Sequence, residues 1–202
     1  MTSVHTRVAA IVAALTTAVL LTSCGTAAKE DQGTGASASS TSQVATHNAD
    51  DVLFAQSMMP HHQQAIDLAA MVPDRSTNPE MLTLAATIAG QQQPEIATMK
   101  ALLMQWDVNP DEMSHPSGHA GMAMAGMVDD ATMVKLDSLK GADFDILWLQ
   151  SMITHHQGAI EMAKAEIADG KNVDMTTLAR NMIAAQQAEI DQMKLMLVGM
   201  GA

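Results

Sequence analysis

The chain has 202 residues and a formal net charge of −12, with no basic stripe able to neutralise phosphates, which excludes a nucleic-acid-binding protein. Its length suits one ordinary domain or two small halves. Apolar residues make up 48% of it, yet it has two Phe, two Trp and no Tyr, while Met reaches 19. Methionine at that level either fills the core of an Ala-rich helical protein or supplies thioethers, soft ligands that select Cu(I).

The chain opens with Arg7 in a short polar start, an apolar run from Val8 to Leu21, and then Thr22-Ser23-Cys24. The run is too short for a membrane span and fits the apolar core of a secretory signal. Its ending resembles a bacterial lipobox. Residues 1–23 are therefore expected to be a signal peptide and Cys24 the lipidated residue, leaving an exported chain anchored to the outer face of the cell membrane. Residues 24–46, rich in Gly, Ala, Ser and Thr after that cysteine, read as a flexible tether.

Residues 47–200 read as one helical domain: a hairpin over 47–106, a connection over 107–129 and a second hairpin over 130–200. The first helix starts near Asn48, with Asn48 and Asp51 as cap and first turn, and ends at Val72-Pro73-Asp74. Pro60 interrupts it and should bend it. The second helix runs from Pro79, an N1 proline, to Trp106. The connection holds Met113, His115, His119, Met122, Met124 and Met127, which have little core to fill and look like a copper-capturing strand. A short helix is expected over 130–139, a third long helix from Asp143 to Asp169 closed by Gly170, and a fourth from Val173 to Val198.

The hairpins are copies of each other. DVLFAQSMMPHHQQAIDLA (51–69) and DILWLQSMITHHQGAIEMA (145–163) align without a gap at an offset of 94, with 11 of 19 positions identical. The same offset relates Gln92, Glu95 and Met99 on the second helix to Gln186, Glu189 and Met193 on the last. Two hairpins, each unable to bury its apolar face alone, pack naturally as a four-helix bundle, so the expected class is all-α.

In each copy a thioether sits three and four residues before a histidine pair, Met58 before His61 and His62, and Met152 before His155 and His156. That spacing puts them on adjoining helix faces, where imidazole and thioether could share one ion. The set favours Cu(I), with imidazole also admitting Cu(II); zinc sites rarely use methionine. Met162 adds a thioether where the first copy has Leu68, which Met71 partly replaces, and this marks the second copy as the better site. Glu95 and Glu189 are expected to orient a histidine through its other nitrogen, with direct ligation the alternative. The bland reading is that the histidines form a hydrogen-bonded polar network in the core, and that Met99, Met193 and their neighbours are core residues.

The His-His-Gln-x-Ala-Ile-x-Met-Ala pattern and the Gln-x-x-Glu-Ile-x-x-Met segments at 92–99 and 186–193 resemble an exported bacterial family catalogued as a domain of unknown function, DUF305. The resemblance runs from about Asp50 to Val198 and implies a ferritin-like four-helix fold with copper binding in some members. It marks Met58, His61, His62, Met152, His155, His156 and Met162 as candidate ligands, with Leu68 as the departure from the motif. The function expected is extracytoplasmic copper sequestration, or transfer to a copper-exchange partner, without catalysis. A di-iron or di-manganese oxidase is the enzymatic alternative. Such a site needs Glu-x-x-His on two helices, and Met58 and Met152 stand where those glutamates would be. A metal-free helical interaction module is the third reading.

Overall fold

A computed structural model describes residues 46–111 and 125–202. Cys24, the expected signal peptide and most of the tether lie outside the described residues, as do Met113, His115, His119, Met122 and Met124. Five helices follow in order: α1 (Ala49–Arg75), α2 (Pro79–Gln105), α3 (Asp130–Ser138), α4 (Gly141–Asp169) and α5 (Val173–Met200). Among the described residues there is no strand. The four long helices form the bundle, and the chain is all-α.

Local chemistry explains the helix starts. Asn48 Oδ1 accepts from Asp51 N at 3.0 Å while Asp51 Oδ2 accepts from Asn48 N at 2.6 Å, a capping box that satisfies two donors. Asn78 caps α2 ahead of Pro79, Asp129 caps α3 and Asn172 caps α5. The ends depart from expectation. Pro73 lies inside α1, because it forfeits one amide and the ladder resumes with Ser76 N–H donating to Val72 O at 2.9 Å. α4 begins two residues early, at Gly141, whose φ of 62° suits only glycine comfortably. Gly199 lies within α5, and Gly201 at φ 76° is the residue that ends it.

α1 packs on α2 and α4 on α5, each hairpin closing on itself, and α1 packs against α4 to join the two, while α2 and α5 touch only sparsely. α1 and α4 are antiparallel. Asn48 Nδ2 donates to Asp169 O at 2.8 Å at one end, and Trp148 Nε1 donates to Leu68 O at 2.8 Å further along. Between these contacts the rings of His61 and His155 meet with centroids 3.7 Å apart. The apolar core forms two buried clusters. One holds Leu68, Ile88, Trp148, Met152 and Met193. The other holds Phe54, Met58, Met99, Trp106, Met162 and Met182.

Candidate metal site

The four repeat histidines are all buried, with relative exposures of 0% for His61, His62 and His156 and 1% for His155. Successive helical residues are turned by about 100°, so a His-His pair points two ways. His61 and His155 face each other across the hairpins. His62 and His156 turn toward their own partner helices, where Nε2–H donates at 2.7 Å to Glu95 Oε2 and to Glu189 Oε2 respectively. The repeat of sequence is thus a repeat of geometry.

His61 is held differently: its Nε2–H donates to the Ala125 carbonyl at 3.0 Å. An imidazole that donates from Nε2 has, in its neutral form, its lone pair on Nδ1. Nδ1 of His61, His62 and His156 has no hydrogen-bond partner. His155, which lies against the ring and backbone of His61, makes no hydrogen bond of ordinary geometry through either nitrogen. Burial first, then the neighbouring His62, pushes the His61 pKa from 6.5 down to about 3. Burial, followed by His61 and His156, pushes His155 well below its ordinary value. Both rings are neutral at pH 7, the state in which imidazole binds a metal.

The methionines are distributed by level along the bundle rather than by copy. Met152 and Met162 are ten residues apart on α4, about 15 Å along its axis, and belong to different core clusters on either side of the histidines. The two thioethers of the second copy therefore lie on opposite sides of its histidine pair. Antiparallel α1 instead brings Met58 into the cluster of Met162 and Met99, while Met152 shares its cluster with Met193 and Leu68, and Met71 packs on that side too. Buried Gln92 and Gln186 occupy equivalent positions on α2 and α5, and neither Gln92 side-chain atom nor Gln186 Oε1 has a partner. Among the described residues, no three His, Cys, Asp or Glu side chains are grouped to hold a metal ion.

Sequence reasoning passed over a strap at the end of the connection. Gln64 and the Val128 backbone exchange two bonds, Nε2 to Val128 O and Val128 N to Oε1, both 2.8 Å. On α4 a Cβ at Gly158 would run into the Ala125 carbonyl and come within 2.7 Å of Gly126 N. The signal was legible: Gln64 and Gly158 are equivalent positions of the repeat and do not match.

Fold and site together define a bundle of two repeated hairpins that meet on a buried layer of imidazoles flanked by thioethers. The family model for the domain of unknown function (DUF305) matches residues 51–197, and the chain belongs to that family. It is 35% identical to a DUF305 protein from Streptomyces coelicolor, with a TM-score of 0.71 over 76% of this chain and 94% of that one. A DUF305 fragment from Deinococcus radiodurans is 32% identical, with a TM-score of 0.65 over 74% and 96%. CopM in its Cu(II)-bound form is 34% identical, with a TM-score of 0.62 over 74% and 96%, and structures of CopM in Cu(I)-bound and Ag-bound forms also match. No curated protein matches the sequence.

Proposed function

We propose that this chain is an extracytoplasmic, lipid-anchored protein that takes Cu(I) as cargo, to sequester it or hand it to an exchange partner, and that it is not an enzyme. The observation that carries this reading is the set of buried imidazole nitrogens left without partners at His61, His62, His155 and His156. A buried polar atom left unsatisfied costs about 1–3 kcal/mol, so several of them together make a poor structural device, which supports a role in taking up an ion. The glutamates on His62 and His156 fix the tautomer and raise the basicity of Nδ1, as partners of metal-bound histidine do. Met58 and Met162 on one side of the layer, and Met152 on the other, are the thioethers available to complete the coordination. A donor set of this softness favours Cu(I) over Zn or a di-iron centre. The Cu- and Ag-bound forms of CopM support the same cargo.

The test is an anaerobic Cu(I) competition titration of the full chain. The wild type should bind tightly, and replacing His61, His62, His155 and His156 together by Ala should abolish that binding. Unchanged stoichiometry in the variant would remove the helical site and leave only the connection. Export and anchoring are tested by fractionation, where Cys24→Ser should release the chain from the membrane.

A further inference from the structure

Three of the four imidazoles are held by a hydrogen bond from Nε2, and only one of those acceptors belongs to the connection. Glu95 and Glu189 are symmetric partners supplied by α2 and α5. Ala125 O has no counterpart in the repeat. Where α1 has Gln64 to grip the Val128 backbone, α4 has Gly158, whose bare Cα leaves room for Ala125 and Gly126. Gly126 itself adopts φ 77°, and a Cβ there would lie 2.6 Å from Thr154 O, so the backbone crosses α4 as closely as glycine permits. Val128 finishes the segment as a buried member of the core.

We propose that residues 125–128 form a strap that positions His61 for the ion, with Gln64 and Gly158 as the positioning residues that seat it. The inference rests on the copper reading above. The strap supplies the carbonyl that accepts from His61 Nε2–H, and so presents Nδ1 as the free lone pair in the same sense as the two glutamates do for His62 and His156. It also breaks the two-fold likeness of the site. His61 is fixed by the strap, whereas neither ring nitrogen of His155 makes a hydrogen bond of ordinary geometry.

The experiment uses full-length protein labelled with 15N at histidine. In the metal-free wild type the Nε2–H of His61 should give a signal protected from water exchange, alongside those of His62 and His156. Gly158→Ala, whose new Cβ runs into strap backbone, and Gln64→Ala should each erase the His61 signal and leave the other two. Both should weaken Cu(I) binding by about 10-fold or more, the usual cost of losing such a partner. Gly90→Ala, where a Cβ meets open space, should change neither readout. A His61 signal that survives in both variants overturns the strap, and so does loss of the signal with unchanged Cu(I) affinity. Absence of Cu(I) binding in the wild type removes the copper reading and the proposed role with it. In that case the NMR signal still reports separately on the hydrogen bond.

Discussion

Glu166 is the residue whose burial is hardest to reconcile with its charge. It is 2% exposed, and its carboxyl fills the space that a Cβ at Gly170 would need. Burial first, then a hydrogen bond to Asp51 and the charges of Asp51, Asp50 and Asp169, raise its pKa from 4.5 to about 9. Glu166 is therefore neutral at neutral pH, beside the acidic Asp51. The unfolded chain releases this proton near pH 4.5 and the folded one near 9, so this group's contribution to stability is whole below 4.5 and is lost as pH rises toward 9. Glu166→Gln keeps a neutral polar side chain of the same shape without the ionisation. It should raise the melting temperature at pH 8 by several degrees and change it little at pH 4; about 1 kcal/mol moves a chain of this size by about 2–4 °C. An equal effect at both pH values would contradict the shift. The first copy has Val72 at the equivalent position, so the sequence announced an oddity but not its neighbours Asp50 and Asp51, which come from α1.

At the scale of elements, Asp51 does more than begin α1. Its side chain completes the capping box and also accepts from Lys171 N and from Asn172 N, the latter at 2.9 Å, tying the first turn of α1 to the loop between α4 and α5. Asp51→Ala removes a cap worth about 1 kcal/mol and strands buried amides worth about 1–3 kcal/mol. Urea unfolding should show a loss of about 2–4 kcal/mol, and a loss below about 0.5 kcal/mol would show the tie to be idle. The cap itself was readable from Asn48 and Asp51, as were the hairpins, whose partners lie close in sequence. The second use of Asp51 was not readable, because it depends on the register of α1 against α4, two helices separated by the whole connection. Register also decides that Met58 lies at the level of Met162, in a different cluster from Met152.

For the whole molecule, the all-α class and the four long helices were legible because periodicity and duplication report them directly. The merging of the two histidine pairs into one layer was not, since a repeat fixes what each hairpin contains and not which faces meet. That merging carries its own expectation. An ion bound between hairpins stabilises the fold only when both are in place, so Ag(I) at about 100 times its dissociation constant should add about 2.7 kcal/mol, or about 5–10 °C. A melting curve indifferent to Ag(I) and Cu(I) would favour a metal-free packing module.

With no tyrosine in the chain, its ultraviolet emission comes from Trp106 and Trp148 alone. Trp148 is fully buried and bonded to Leu68 O beside Met152, and Trp106 stacks on His47 at 4.5 Å in the cluster of Met58 and Met162. The two indoles therefore watch opposite sides of the imidazole layer. Trp106→Phe and Trp148→Phe would each leave one lamp lit, turning the protein into its own two-channel optical record of the side on which a captured ion comes to rest.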